Sequence, residues 1–132
     1  MRKVKFKIAT PVVAKQRPRL GKNGHIYTPT ETKVFEQICK LSYKDYYFDK
    51  EYIAVKIKFL FEVPKSYSNK KREEALKGNI RPTKADIDNY IKSVLDGLNG
   101  VAWSDDRYIT AIMAEKVFAE KSEVIVEIEN IA

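Results

Sequence analysis

One cysteine, one histidine and one tryptophan occur in 132 residues. A lone thiol, Cys39, closes no intrachain disulfide and builds no thiolate zinc site. The lone His25 makes no histidine-based metal centre and reads as a solvated loop residue. No apolar run reaches membrane-spanning length. The opening residues Met1-Arg2-Lys3-Val4-Lys5-Phe6-Lys7 alternate charge with apolar side chains, unlike a signal peptide. These absences read as a cytosolic chain, and the cytoplasm is the expected location. There is no glycine-rich phosphate cradle, no internal repeat and no low-complexity tract.

Acidic residues are missing from the first thirty positions, which carry Arg2, Lys3, Lys5, Lys7, Lys15, Arg17, Arg19 and Lys22. A second basic run holds Lys65, Lys70, Lys71, Arg72, Lys77, Arg81 and Lys84. The last stretch is acidic, with Glu115, Glu120, Glu123, Glu127 and Glu129. The formal net charge is +7. An uneven basic balance of this kind points to one phosphate-facing side and a polyanionic partner. A soluble protein with solvated lysines is the plainer reading of charge alone.

What is present is enough for one domain over residues 1–132 with a real core. Val4, Phe6 and Ile8 alternate with lysines as a half-buried strand over 3–9. Pro11, Pro18, Gly21 and Gly24 then break the pattern, before a possible short strand at His25–Thr28. Thr30 is a plausible N-cap for a helix running to about Tyr46. Ile53, Val55, Ile57, Phe59 and Phe61 share one side of a strand over 52–61. Ser68 caps a short charged helix over 69–77. The most regular helical stripe is Ile87, Ile91, Val94, Leu95 and Leu98, with Gly97 and Gly100 as its stop. A short strand Val101–Trp103, a turn Ser104–Asp106 and strands over 107–118 and 122–129 complete the chain. The expected class is α+β: a mixed sheet with helices packed mainly on one face.

The chemistry gathers on that regular helix. Asp86 and Asp88 cannot share a face inside an α-helix, because two steps turn by about 200°. In extended chain they do share one. If both bind one ion, Asp86 precedes the helix and Asp88 sits at or near its N-cap. Lys92 follows Asp88 by one turn; most pairs at that spacing are ordinary surface ion pairs. Asp105 and Asp106 lie in a turn, where aspartates are common for local reasons. A helix followed by a returning strand could bring them back toward Asp86 and Asp88. Clustered carboxylates repel one another unless a hard cation such as Mg²⁺ relieves them. Such a site suits phosphodiester hydrolysis, with a lysine to stabilise the transition state or the leaving oxygen. Asp-x-Asp by itself also occurs in metal-dependent transferases. Trp103 could stack on an unpaired base, although a core place suits it better. Some of the eight tyrosines could line a subunit interface.

The run from Arg81 through Asp86-Ile87-Asp88, Lys92 and Trp103-Ser104-Asp105-Asp106 closely resembles the RusA family of Holliday-junction resolvases. Lys15-Gln16-Arg17-Pro18-Arg19 with Tyr27-Thr28-Pro29, and Pro64-Lys65-Ser66 before a basic helix, extend the resemblance over most of the chain. It departs mildly at Ala85, where a proline or basic residue is common, and at Ala102-Trp103-Ser104. The resemblance implies Asp86, Asp88 and Asp106 as carboxylates for Mg²⁺ (or Mn²⁺), Lys92 as the catalytic lysine, and Asp105 as an additional or outer neighbour. It implies a homodimer that nicks opposed strands of a four-way DNA junction symmetrically in recombination and repair, and a phage or prophage origin. Lys15, Arg17, Arg19, Lys70, Lys71, Arg72, Arg81 and Lys84 are then the expected DNA contacts. The rival readings are a silent nucleic-acid-binding module of the same fold and a small-substrate transferase or nucleotide hydrolase.

Overall fold

The computed structural model describes residues 1–16, 19–22, 24–27 and 29–131, and of Arg19 and Tyr27 the backbone alone. Alternating apolar residues build the strands β1 (Lys3–Ile8), β4 (Ile53–Glu62), β5 (Ile109–Ala119) and β6 (Glu123–Asn130). They form one sheet in the order β1-β6-β4-β5. β6 runs antiparallel to both β1 and β4, while β5 runs parallel to β4, so the sheet is mixed. A β-bulge at the start of β5 pairs Ile53 with Ile109 and Ala54 with Ala111. A separate two-stranded ribbon joins β2 (Arg19–Leu20) and β3 (Ile26–Tyr27).

One face of the sheet is covered. Val55, Ile57 and Phe59 of β4 and Val124, Val126 and Ile128 of β6 are buried beneath α1 (Thr30–Ser42) and α3 (Ile87–Leu98). Lys56 and Lys58, which alternate with these β4 residues on the opposite face, look to solvent. This is the expected α+β layout. Trp103, Phe35, Phe48 and Phe59 are fully buried, and each such side chain is worth about 1.5–3 kcal/mol relative to exposure. Among the described residues, no helix is long and apolar enough to cross a membrane.

Helix α2 (Asn69–Leu76) packs against β5 and carries one buried residue, Ala75. Its Ser68 side chain accepts a hydrogen bond from the Lys71 N–H, as an N-cap should. Gly78 takes a positive φ of 85° just past its end.

The elements differ from the sequence reading at three places. Helix α1 starts at Thr30 with Pro29 in the cap position, and it stops at Ser42 rather than near Tyr46. Tyr43 leaves in an extended conformation, which seats its ring edge-on to Phe6 at 5.0 Å. Val101–Trp103 is a tight turn, not a strand. The Val101 and Ala102 N–H groups both return to the Leu98 carbonyl, and Gly100 donates to Trp103. Gly97 lies inside α3 instead of stopping it. A Cβ there would stand 2.7 Å from the Cys39 Cβ and 3.3 Å from the Glu36 Cα, so glycine lets α1 and α3 approach closely.

Candidate metal and nucleic-acid site

The segment entering α3 is held in an unusual shape. Ala85 has φ 57°, a left-handed conformation costly for a residue with a Cβ and closed to proline. Two long side chains fasten this turn. The buried Tyr90 hydroxyl donates to the Lys84 carbonyl at 2.9 Å, and the Lys116 ammonium donates to the Ala85 carbonyl at 3.0 Å. Strain supported by surrounding bonds is typical of functional positions.

Asp86 follows in extended backbone, φ −84° and ψ 137°, and takes the N-cap position of α3. Its carbonyl accepts from the Asn89 N–H, while its carboxylate makes no capping bond. Asp86 thus precedes the helix, as the i, i+2 argument requires. The cap position belongs to Asp86 and not to Asp88, which lies in the first turn. Both are exposed. One Asp88 carboxylate oxygen accepts from the Asn89 N–H at 3.0 Å. Lys92 stands one turn further on, exposed, and among the described residues forms no ion pair. The common explanation of the Asp88/Lys92 spacing, a surface salt bridge, therefore does not account for it.

Asp105 and Asp106 lie elsewhere. Asp105 accepts from the Arg107 N–H at 2.9 Å and so caps the short 3₁₀ turn Asp106–Tyr108. Asp106 accepts from the Trp103 indole N–H at 2.7 Å. Burial holds the Asp106 carboxyl above the ordinary carboxylate range. The indole opposes this shift, and the charges of Asp96 and Asp105 add to it. Its acidic neighbours are thus Asp96, near the C-terminal end of α3, and Asp105.

Asp88 and Asp96 are eight residues apart on α3, about 12 Å along its axis. The expected convergence of both aspartate pairs is therefore not formed within one chain, and among the described residues no group of three acidic, histidine or cysteine side chains could hold a metal. The reason is the tight turn after Leu98, which drives Trp103 into the core beside the C-terminal end of α3. Asp106 starts from that end instead of running back to Asp86. The pair Asp86/Asp88 still offers hard oxygen donors on a fastened turn. Mg²⁺ commonly takes one or two carboxylates and completes its shell with water and phosphate oxygen.

The expected DNA contacts separate into distinct situations. Lys15 is largely committed, with its ammonium 2.7 Å from Glu36 and 3.1 Å from Asp96. Burial alone would lower its pKa, but hydrogen bonds to Glu36 and Asp96 outweigh that and raise it. Arg72 pairs with Glu120 at 2.6 Å, and Arg81 pairs with Glu115 at 3.2 Å and donates to the Lys116 carbonyl. The Lys71 ammonium sits over the Tyr67 ring at 4.2 Å. Lys70 and Lys84 are exposed, and among the described residues neither forms an ion pair. Arg17 lies outside the described residues, and Arg19 contributes its backbone to β2.

Several supporting residues escape sequence reasoning. Tyr90, Lys116 and Ala85 act together only because β5 runs beside the turn. Ser93, buried in α3, donates to the Val13 carbonyl at 2.6 Å, while the Lys15 N–H donates to the Asn89 carbonyl, so residues 13–15 are clipped along α3. Asp96 did carry a signal, standing one turn after Lys92. Trp103 is a core residue, and His25 is exposed in its loop.

Residues 9–129 match the family model described as Endodeoxyribonuclease RusA. The chain is also 34% identical, over 138 aligned positions, to Uncharacterized protein YqaN of Bacillus subtilis (strain 168); the match covers 98% of this chain and 97% of that protein.

Proposed function

We propose, for a chain that belongs to the RusA family of endodeoxyribonucleases, a Mg²⁺-dependent, structure-selective endonuclease. It resolves Holliday junctions by paired symmetric nicks, working as a homodimer in DNA recombination and repair. A cytoplasmic setting and a phage or prophage origin belong to the same reading. The observation that carries it is the presentation of Asp86 and Asp88 on a turn fastened from two sides, with Lys92, which forms no ion pair among the described residues, one helical turn away.

Asp86 and Asp88 would hold the cation, with phosphate oxygen and water in the rest of its shell. When bound, Mg²⁺ supplies charge neutralisation at the scissile phosphate and acidifies water. Lys92 is placed to donate to the developing charge on the phosphate or the leaving oxygen. Tyr90 and Lys116 keep the Ala85 turn, and with it both carboxylates, in position. Asp106 does not reach this group within its own chain, so its share in metal binding calls for a second copy in the homodimer. Lys84 and Lys70 are available for backbone phosphates, which give affinity without sequence information.

Asp88→Asn removes one anionic ligand while leaving the basic surface untouched. Nicking of a four-way junction is expected to fall at least about 100-fold, in the range of losses seen when one transition-state-stabilising group is removed. Junction binding in a gel-shift assay without metal should be unchanged. Nicking near the wild-type rate would remove Asp88 from the site. Since the described residues of one chain do not assemble three acidic ligands, a silent DNA-binding module is the second reading. Calorimetry with Mg²⁺ and junction DNA separates the two, because a silent module takes up no metal that Asp86→Asn abolishes.

A further inference from the structure

The two edges of the sheet are unlike. Strand β1 carries Lys3, Lys5 and Lys7 on its solvent face, and two of these are paired with Glu127 and Glu123 of β6. Pairing β1 with another β1 would set lysine against lysine. Strand β5, the opposite edge, carries no charge from Ile109 to Ala114. Its residues Thr110–Met113 are all exposed, although successive side chains of a strand point to opposite faces. Among the described residues, neither the helix layer nor the open face covers them. Ile112 is 43% and Met113 66% exposed, high values for large apolar side chains in a strand.

The remainder of this edge is protected. The Lys116 carbonyl accepts from Arg81 on the edge side, whereas the Ala119 carbonyl accepts from the Val63 N–H on the β4 side. Since backbone groups alternate along a strand, odd-numbered residues of the regular part of β5 face β4 and even-numbered ones face the edge. Arg81 and α2 cover the far half. Ile112 and Ala114 are left with edge-facing backbone groups and, among the described residues, no strand beyond them. An uncharged, apolar, unpaired edge is a template for strand addition.

We infer that a second copy of this chain pairs antiparallel with β5 around Ala111–Ile112, joining two four-stranded sheets across a two-fold axis. The segment is self-complementary. Arg107 and Glu115 lie four residues on either side of Ala111, so the two-fold brings Arg107 of each copy toward Glu115 of the other. Arg107 is exposed and, among the described residues, has no ion pair in its own chain. The exposed Tyr52, tilted against Tyr108 at 6.1 Å, adds apolar rim at the start of β5. A stable interface needs more than a strand seam, roughly 1,000 Å² in all, and this rim extends it. The inference rests on the homodimer reading above and assigns its surface.

The test is the molar mass of the intact chain by light scattering, together with cysteine cross-linking. Wild type is expected to be a dimer, and Ile112→Lys, which sets a charge on the seam, a monomer of half that mass with an unchanged circular dichroism spectrum. Ala111→Cys, or Thr110→Cys combined with Ile112→Cys, should form a disulfide-linked dimer on mild oxidation, because directly opposed antiparallel residues lie within disulfide reach and this register sets Ala111 opposite Ala111 and Thr110 opposite Ile112. Lys5→Cys on β1 should not. If Ile112→Lys fails to fold, the cross-links decide. A wild-type dimer that survives Ile112→Lys and cross-links at neither β5 position overturns the β5 seam and leaves the homodimer standing. A monomeric wild type overturns both.

Discussion

Single side chains decide how sharply the candidate site is defined. Tyr90 spends its hydroxyl on the Lys84 carbonyl, next to the left-handed Ala85 and two residues before Asp86. Tyr90→Phe removes that bond while keeping the ring against Phe59 and Phe61. Stability should fall by only about 1 kcal/mol, the net worth of one hydrogen bond. The Mg²⁺ concentration for half-maximal nicking should rise about 10- to 100-fold, the usual result of losing a group that orients a ligand. A titration of nicking rate against Mg²⁺ checks this; an unchanged midpoint would mean that Tyr90 merely fills space. Cys39 supplies a second expectation. Burial pushes its thiol from 9.0 up to about 12, and the Glu36 charge adds to the shift. Only the unfolded thiol ionises in that interval, so its contribution is intact below about pH 9 and is lost as pH rises toward 12. Native protein at pH 8 should leave an aromatic disulfide reagent unreacted, with full reaction in denaturant. Fast native labelling would contradict the burial.

Among the elements, α1 and α3 are joined where glycine allows it. Gly97→Ala gains about 1 kcal/mol of helix propensity but forces a Cβ onto Cys39 and the Glu36 backbone. Overpacking typically costs about 1–3 kcal/mol, so the midpoint of urea unfolding should fall; a rise would mean that the helices separate freely. The sequence reading treated Gly97 as a stop signal, because position along a stripe says nothing about how near a second helix comes. The strands β1, β4 and β6 were legible, since one face meets the core and the other carries lysine and glutamate. Val101–Trp103 was not, because three apolar residues fit a turn as well as a strand. The end of α1 was overrun because Tyr43 and Tyr46 keep near-helical spacing after Cys39. Asp86 and Asp88 could be placed from local stereochemistry. The place of Asp106 depends on how tightly the chain turns after Leu98, and no local pattern records that.

For the whole molecule, the charge separates by face. On the open side of the sheet, Lys3, Lys7, Lys56 and Lys58 find Glu115, Glu123 and Glu127 within 4.0 Å. That face is largely self-neutralised, which explains why the acidic C-terminal strand does not cancel the basic character elsewhere. Lys84 and Lys92, which form no ion pair among the described residues, lie on the segment that carries Asp86 and Asp88. A polyanion is therefore drawn toward the Asp86 end of α3 and away from the open sheet.

The most direct test is incubation of the intact chain with a labelled mobile four-way junction, a linear duplex and a flap, each with Mg²⁺ or with chelator. Paired, symmetric nicks in the junction alone, and only with Mg²⁺, are the predicted result. Equal cutting of all three substrates, or junction cutting that persists in chelator, would contradict a structure-selective endonuclease built on Asp86 and Asp88.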